Sequence, residues 1–466
     1  MDQRSIEPAM NAKRCSYTCI PTFRKDFYSK IKMNKHLYLK KNNKKTFCSQ
    51  EVQIVPDEII KDKSTLDVHP TPSALSIASA PVVNSSSALH KNQMIFDAKP
   101  VDLLHMAYPH ISHDLISTKN FEIIKNFTEL FTNNITSFFG FECRLAETAP
   151  HADFAFAVSG RGNDRFNLKN VVENSAAIQQ LLSHQEWQRI LDFTLSWSDT
   201  ESVLYNKVKC FWIEFDTAGN NSDIPIPSVF FGPAKPSREL GSNNPDQYDW
   251  LISSALPLLK GKISNEIHHN LFDCISKIPL NSYVFQVGTM LSREPQNIRL
   301  FINKIEADQI IPYLLSIGWE EDPTDLITVI QEIDQFVDRY VISFDVTEQG
   351  VGQKIGIECS FDGEPFDAVP QWQEFLNYLV DKGLCLPEKR DALLSYSGVD
   401  NTTMFTKPVE PLVSASSTKA YESCSSARFI NHIKLVYRPE KPLEAKAYPA
   451  IRYYCPAETT SQMKQE

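Results

Sequence analysis

The sequence predicts an α+β fold in which ten antiparallel strands close into a β-barrel surrounded by helices. Extended segments with alternating apolar and polar residues come in pairs that are joined by short turns. Pairs of amphipathic helical segments separate one hairpin from the next. This order recurs five times between about residues 121 and 454, so we expect one domain built from five αββα repeats that share little sequence.

Short turns join the two strands of each predicted hairpin, so the paired strands should run antiparallel. Turn-forming residues mark two of these connections, at Glu294-Pro295-Gln296 and at Gly350-Val351-Gly352. The predicted pairs are residues 138–145 with 153–158, 207–215 with 228–231, 283–290 with 297–305, 340–346 with 354–361, and 429–437 with 444–454.

Helical periodicity fills the segments between the hairpins. Proline supports two of the predicted helix starts, because Pro323 and Pro387 stand where a missing N–H leaves no hydrogen bond unmade. The predicted helices are residues 121–134, 171–182, 185–196, 248–259, 265–276, 307–317, 326–337, 373–381 and 388–395.

Closure of the sheet is predicted from the polar faces of the strands. If helices cover the apolar face, the charged residues of the other face line a lumen. Aromatic residues accompany these charges, as Phe211 does Lys209 and Phe301 does Arg299. An aromatic and cationic face of this kind is an unfavourable surface in bulk water. An open sheet with one solvated face is the alternative.

Composition divides the chain into an N-terminal arm, a domain and a tail. Residues 1–95 begin with a basic Lys/Asn segment, continue as a Ser/Pro-rich stretch and keep no regular period, so we expect a disordered arm. This arm could also dock the domain on a partner or an anionic surface. Residues 96–455 contain the repeats and an irregular loop at 398–426, and residues 456–466 form a flexible polar tail.

Charge and apolar patterning argue against several classes of function. The net charge is −10 with a pI near 5.6, which does not indicate a nucleic-acid partner. No apolar stretch approaches 18 residues, so no membrane span is expected. Ten scattered cysteines without zinc-like spacing predict a reduced, cytoplasmic protein and no metal site.

This order of elements resembles the layout of the aromatic prenyltransferases, also called the ABBA or PT-barrel family, over about residues 100–455. The resemblance lies mainly in the succession of helices and hairpins. It implies a basic, aromatic-lined lumen that holds an allylic prenyl diphosphate as co-substrate beside an aromatic acceptor. It also implies that no cofactor is needed and that magnesium is not required.

Glu142 matches a glutamate that indole-prenylating members carry early in the first hairpin, and here it stands in Gly140-Phe141-Glu142. The resemblance implies that this carboxylate accepts the proton of the acceptor. Such a base needs a desolvated pocket that raises its pKa toward neutrality. The alternative is a carboxylate paired with Arg144 or with a neighbouring lysine.

The resemblance also implies a set of cations for the diphosphate, with aromatic side chains two residues further along that shield the allylic cation from water. Lys446-Ala447-Tyr448 keeps the Lys-x-Tyr signature of the family. The implied diphosphate ligands are Lys209, Arg299, Lys354 and Lys446, and the implied cation shield is Phe211, Phe301 and Tyr448.

Several positions depart from the family pattern. Phe211 and Phe301 stand where the family places tyrosine, and a phenylalanine ring can stabilise a carbocation but cannot donate a hydrogen bond to phosphate. Glu358 is a carboxylate where a diphosphate pocket should be basic. Lys434 is a weaker candidate because Tyr437 lies on the opposite face of its strand.

Two functions follow from these residues. The first is a metal-independent prenyltransferase that moves an allylic prenyl group from a diphosphate to an aromatic small molecule or a peptide side chain. The second is a non-catalytic barrel that binds a metabolite or peptide as an accessory or recognition protein. The phenylalanines in place of tyrosine, together with Glu358, favour the second.

Overall fold

The computed structural model describes residues 99–217, 225–233, 245–293, 297–362, 368–402 and 424–454. The predicted N-terminal arm, the C-terminal tail and residues 403–423 of the predicted loop lie outside these ranges. No helix within the described ranges is long and apolar enough to cross a bilayer.

Ten strands form a closed antiparallel barrel, as predicted. Each strand from β1 to β7 pairs with the next along the chain, β8 pairs with β10, and β11 closes the ring by pairing with both β10 and β1. The strands are β1 Phe138–Arg144, β2 Ala152–Ser159, β3 Val208–Phe215, β4 Ser228–Pro233, β5 Tyr283–Thr289, β6 Ile298–Asn303, β7 Arg339–Thr347, β8 Gly350–Ser360, β9 Gly398–Thr402, β10 Cys424–Tyr437 and β11 Glu444–Tyr454.

The prediction of an irregular loop over residues 398–426 is wrong at both ends. Gly398–Thr402 is the strand β9, which lies outside the ring and pairs with the first residues of β10. Cys424 already belongs to β10. The two segments are polar and far apart in sequence, so a local pattern carries no sign that they pair with each other.

Helices surround the barrel and cover the outward face of the strands. The helices are α1 Pro100–Ala107, α2 Thr118–Glu129, α3 Asp164–Asn174, α4 Ala176–Leu181, α5 Gln185–Ser198, α6 Val203–Lys207, α7 Leu256–Lys260, α8 Asn265–Ser276, α9 Ala307–Ser316, α10 Thr324–Ile333, α11 Val369–Asp381 and α12 Pro387–Tyr396. A single π-helical turn, Leu251–Ala255, precedes α7. The main core lies between helices and sheet, where Trp187, Trp197 and Trp372 are almost fully buried.

Local chemistry accounts for several helix starts. Ser117 and Ser264 cap α2 and α8, where each hydroxyl accepts a hydrogen bond from a backbone N–H of the first turn. Pro387 is the first residue of α12, as the sequence predicted.

A β-bulge in β10 decides which of its side chains enter the barrel. The register shifts between Ile430 and His432, opposite Pro449 of β11, which has no N–H to offer the ladder. Before the bulge Phe429 packs inside the barrel with Phe138 of β1. After it the phase changes by one residue, so His432 and Lys434 point inward.

Alternating strand directions place the polar lumen residues near one end of the barrel, where β1, β3 and β10 finish and β6, β8 and β11 begin. We call this the charged end, defined by Glu142, Arg299, Lys354, Lys434 and Lys446. The opposite end is filled by a cluster of Phe138, Ala427, Phe429 and Ala450 with Trp212 packed against it.

Candidate active site

Glu142 is ionised and is hydrogen-bonded to two residues at the charged end. Lys446 Nζ lies 2.5 Å from its Oε1, and the Tyr448 hydroxyl donates a hydrogen bond to its Oε2. Burial acts to raise the pKa of Glu142, but Lys446, Tyr448 and the charge of Lys434 together hold that pKa well below its usual range. This is the opposite of the raised pKa expected for a general base, and it matches the alternative of a lysine-paired carboxylate.

His432 lies beside this pair. Its ring stacks on Tyr448 with centroids 4.1 Å apart and an interplanar angle of 20°. Nδ1 is 3.0 Å from the side-chain amide of Asn431, and Nε2 is 3.9 Å from Oε1 of Glu358. Nε2 is buried and has no hydrogen-bond partner among the described residues. Burial lowers the pKa of His432, with Lys434 adding to the effect, so the imidazole is neutral near pH 7.

Two further ion pairs lie in the lumen. Arg299 makes a bidentate contact with Asp345, with Nε–Oδ1 and Nη2–Oδ2 distances of 2.7 and 3.1 Å. Lys434 Nζ is 3.2 Å from Oε1 of Glu358 and 4.8 Å from the centroid of the Phe301 ring. Glu358, unexpected in a diphosphate pocket, is thus the partner of a lysine that the sequence ranked low.

Lys354 is the cation of this cluster without a carboxylate of its own. No hydrogen bond or ion pair joins it to another residue in the described part of the chain. Burial lowers its pKa to about 7, and repulsion from Arg299, Lys434 and Arg438 acts in the same direction against a partial offset from Asp345. Neighbouring cations therefore outweigh the nearby negative charge, and the site favours an added anion.

A small cavity of about 50 Å³ opens beside Glu142, with room for a few water molecules. Tyr448 and His432 line one part of it, and Trp212 and Glu214 of β3 line another. An ionised carboxylate, a neutral imidazole and aromatic side chains therefore face one space.

Glu214 was not foreseen from the sequence as a lumen residue. Burial raises its pKa to about 8, and the negative charges of Glu142, Asp216 and Asp153 act in the same direction, opposed by Arg293. Two carboxyl groups of one cavity thus have opposite protonation tendencies, because Glu142 has basic partners and Glu214 has none in hydrogen-bonding contact among the described residues.

The structure brings together five of the eight residues predicted for the site. Glu142, Lys446 and Tyr448 are in direct contact. Arg299 and Lys354 lie at the same end of the barrel and influence each other electrostatically. A sixth residue, Phe301, is buried in the lumen, where it packs with Phe230 and Met290.

Lys209 and Phe211 lie outside the lumen, contrary to the prediction. Lys209 lies at the opposite end of the barrel, is exposed, and donates a hydrogen bond to the Asn206 carbonyl. Phe211 is fully buried on the outward face, where it stacks on Phe193 of α5 at a centroid distance of 4.7 Å. It shields the interface between helices and sheet from water and cannot reach a lumen ligand.

The physical reason lies in the phase of β3. Phe211 shares its face with the apolar Ile213 and Phe215, which are also buried, so this is the helix-covered face. The inward residues are Trp212 and Glu214. A bulge between Val208 and Cys210 interrupts the alternation at Lys209. The charge of Glu214 between two apolar neighbours was the signal that could have identified the inward phase.

His432 was also missed. Its even spacing from Lys434 places the two on one face, but the bulge at residue 431 cannot be seen in the sequence, so their common phase relative to the lumen was not evident.

The fold and the lumen together define a helix-surrounded, closed ten-stranded antiparallel barrel with a charged and aromatic interior. No family model matches the chain, and no curated protein matches it by sequence.

Solved structures similar to this chain are aromatic prenyltransferases. AnaPT from Neosartorya fischeri has 12% identity and a TM-score of 0.40, with 71% of this chain and 87% of that chain covered. 5-Dimethylallyltryptophan synthase from Streptomyces coelicolor has 11% identity, a TM-score of 0.43, and coverage of 76% and 97%. PriB in its binary complex with product diphosphate has 12% identity, a TM-score of 0.44, and coverage of 75% and 96%. At such values the function has to be argued from this chain's own residues.

Proposed function

We propose that this protein is a prenyltransferase that binds an allylic diphosphate at the charged end and transfers the prenyl group to an acceptor beside Glu142. The observation that carries the proposal is the excess of positive charge around Lys354. Arg299 and Lys434 pair with Asp345 and Glu358, and burial together with repulsion from Arg299, Lys434 and Arg438 lowers the pKa of Lys354. A diphosphate supplies the negative charge that this cluster lacks.

The chemistry follows from charge placement. Breaking the bond between the prenyl carbon and the diphosphate oxygen leaves both bonding electrons on the diphosphate, and the cations stabilise that charge in a site of low dielectric. The resulting allylic cation is stabilised by the faces of Phe301, Trp212 and Tyr448, which line or approach the lumen. The acceptor then forms the new bond to the prenyl carbon.

Glu142 is suited to orient the acceptor. Its two oxygens carry about four acceptor positions, of which Lys446 and Tyr448 occupy two. An N–H or O–H of an indole, a phenol or a peptide side chain can donate to a remaining position. The ionised carboxylate also stabilises the positive charge that develops on the acceptor during transfer.

We further propose that transfer does not require magnesium, because lysine and arginine side chains supply the charge neutralisation that a metal would otherwise provide. The acceptor is an aromatic small molecule or a peptide side chain. Free cysteines in the described core, such as Cys143 and Cys359, support a reducing, cytoplasmic location.

The first test is a thermal-shift titration with dimethylallyl, geranyl and farnesyl diphosphates, with and without magnesium, and with inorganic pyrophosphate as the reference anion. A ligand at 100 times its Kd stabilises the folded state by about 2.7 kcal/mol, so we expect one prenyl diphosphate to raise Tm clearly and independently of magnesium. Lys354→Ala should weaken this binding at least about tenfold. The matched control is Lys209→Ala, which removes a lysine at the opposite end and should bind like the wild type.

The second test is transfer itself. The chain is incubated with the stabilising diphosphate and a panel of indoles, phenols and aromatic peptides, and products are identified by mass spectrometry. Glu142→Gln should lower kcat/KM by about 10²-fold while keeping diphosphate binding, because the charge beside the acceptor is lost. Equal shifts for Lys354→Ala and the wild type, or no product from any acceptor, contradict the proposal.

A non-catalytic barrel that recognises a metabolite or peptide is the second candidate. The specific observation that favours it is the crowded lumen, since Arg299, Lys434 and Lys446 each already contact a carboxylate and the cavity holds only a few water molecules. Such a protein would show no shift with any prenyl diphosphate. A shift without turnover would likewise support a binding role.

A further inference from the structure

Prenyl transfer to an aromatic carbon releases a proton, and the lumen must hold a group that takes it. Glu142 accepts hydrogen bonds from Lys446 and Tyr448 and remains ionised at low pH, so it is a weak base. The cavity beside it holds a second carboxyl group, that of Glu214 on β3. Since Glu214 has no such partners, its carboxylate is the better suited of the two to take the proton.

Glu214 lies at one end of a row of small residues that forms the floor of the cavity. The strands β11, β1 and β2 place Ala450, Gly140 and Ala155 side by side, and Ala155 lies opposite Glu214. All four residues line the cavity. Neighbouring strands are about 4.8 Å apart, so the row spans about 14 Å from β11 to β3. A flat aromatic group fits over such a floor with its edge toward the Glu214 carboxyl group.

The Glu214 carboxyl group is open to a ligand. No hydrogen bond or ion pair joins its side chain to another residue in the part of the chain that the structure describes, so its acceptor positions are free. The charged and titratable groups around the carboxyl and the cavity are Glu142 of β1, Asp153 of β2, Asp216 after β3, Arg293 after β5, His432 of β10 and Tyr448 of β11.

These surroundings set the protonation of Glu214 near neutral pH. Burial raises its pKa to about 8, and the three neighbouring carboxylates act in the same direction against Arg293. About one tenth of the molecules then carry the Glu214 carboxylate at pH 7, and most carry it above pH 8. A general base is most efficient when its pKa lies near the working pH. The same negative charges stabilise a cationic adduct in the cavity.

A carboxyl group without a partner in such a place destabilises the folded protein, whereas a glutamine of nearly the same volume has no charge to desolvate. Groups that are unfavourable for folding concentrate at functional sites. The position of Glu214 beside the acceptor cavity is therefore best explained by a chemical role.

Resting on the transfer activity proposed above, we propose that Glu214 is the catalytic base that removes the proton from the prenylated carbon of the acceptor. The carbon–carbon bond forms as the prenyl carbon leaves the diphosphate oxygen. The C–H bond of the cationic adduct then breaks, its electron pair restores the aromatic ring, and the proton bonds to a carboxylate oxygen of Glu214. The neutral carboxyl group later releases this proton to water.

The test uses the full chain, a saturating concentration of the stabilising prenyl diphosphate and the acceptor identified in the transfer assay. Wild-type kcat should rise about tenfold from pH 7 to pH 9, because protonated Glu214 cannot accept a proton. Glu214→Gln should lower kcat by about 10²-fold at pH 8, lose this rise, and leave the KM for the diphosphate unchanged. Glu173→Gln, which changes an exposed carboxyl on α3, is the matched control and should keep the wild-type profile.

A deuterium label at the substituted carbon separates this role from a structural one. When the base is lost, breaking of that C–H bond becomes slow, so Glu214→Gln should show a larger kinetic isotope effect than the wild type. Release of the prenyl alcohol without acceptor should keep its rate, since ionisation of the diphosphate precedes proton removal. Glu214→Asp keeps a carboxyl group and should retain the alkaline rise at a reduced kcat.

Each outcome has a distinct meaning. Absence of product from the wild type refutes the transferase function, and the role of Glu214 with it. Product formation with a wild-type rate and isotope effect in Glu214→Gln overturns the role of Glu214 alone, and so does a product prenylated at oxygen or nitrogen, where no C–H bond breaks. If that variant does not fold, a wild-type kcat that stays flat from pH 7 to pH 9 overturns the role equally.

Discussion

Glu142 and Glu214 line one cavity, and their pKa values move in opposite directions from nearly the same degree of burial. The difference lies in their partners. Glu142 accepts hydrogen bonds from a lysine and a tyrosine hydroxyl of β11, whereas Glu214 faces the negative charge of Glu142. Desolvation therefore decides the direction of the pKa shift at Glu214, and pairing with Lys446 and Tyr448 decides it at Glu142.

This contrast predicts that Glu214 destabilises the fold at alkaline pH. Its folded-state pKa of about 8 lies above the ordinary value of 4.5, so the folded state binds more protons between these limits. The contribution of this group to the free energy of unfolding therefore falls as the pH rises from about 4.5 to about 8. We expect Glu214→Gln to raise the free energy of unfolding at pH 8 by about 1–3 kcal/mol and to leave it nearly unchanged at pH 4.5.

Denaturant unfolding at both pH values measures this difference. Glu173→Gln, which changes an exposed carboxyl on α3, is the control and should have little effect at either pH. A Glu214→Gln variant that is no more stable than the wild type at pH 8 would show that the surrounding groups already stabilise the negative charge of Glu214.

Residue-level prediction succeeded where alternation within a strand is regular. Glu142 lies between the apolar Phe141 and Cys143, and Lys446 and Tyr448 are flanked by alanine and proline, so their shared inward face could be inferred. The prediction failed at Lys209 and Phe211, because a lysine two residues before an aromatic residue does not indicate which face of the strand the helices cover.

At the scale of an element, one extra residue in β10 decides which side chains of this strand face the lumen. Up to Phe429 its inward residues are apolar and fill the end of the barrel opposite the charged end. Beyond the bulge at Asn431 they are His432 and Lys434, which belong to the site. The missing N–H of Pro449 makes the bulge less costly, since the ladder already lacks a donor there.

Deletion of Asn431 should therefore disrupt the site and the fold together. Removing the extra residue shifts the register by one, which turns either the residues before it or those after it to the wrong face. We expect loss of the cooperative thermal transition seen by circular dichroism. If only one part of the strand keeps its native register, we expect a Tm lower by at least about 10 °C.

Asn431→Ser keeps the extra residue and serves as the matched control, with a Tm within a few degrees of the wild type. The side chain of Asn431 is exposed, so its replacement should cost little. A deletion variant with the Tm of the control would mean that the bulge does not set the inward phase.

At the scale of the whole molecule, closure of the ring pairs each of the ten barrel strands with a neighbour on both sides. β11 pairs with β10 along most of its length and with β1 on its other side. It also brings Lys446 and Tyr448 to Glu142, so the last strand completes both the barrel and the site.

A chain ending at Leu443, which lacks β11, should therefore not form a stable monomer. The edges of β1 and β10 would be exposed, and unpaired edges associate with other chains. Size-exclusion chromatography with light scattering should show large aggregates or an expanded chain. A chain ending at Tyr454 keeps β11 and is the matched control, expected to elute as the full-length protein does. A compact monomer from the shorter chain would contradict the requirement for closure.

The sequence by itself determined the order of elements, the five hairpins and the lumen position of most of the candidate site residues. These features depend on local information, namely the period of apolar residues and turn chemistry within each hairpin. Hence Glu142, Arg299, Lys354, Lys446, Tyr448 and Phe301 were assigned to the lumen from sequence.

Only the tertiary structure decided the contacts between strands that are distant in sequence. Glu142 meets Lys446 because β1 and β11 are neighbours in the closed ring, and this pairing lowers the pKa that a base would need raised. The same closure brings Glu214 and His432 to one cavity and leaves Lys209 outside it. Register, bulges and ring closure arise from pairings across the whole chain, and no local window of sequence contains them.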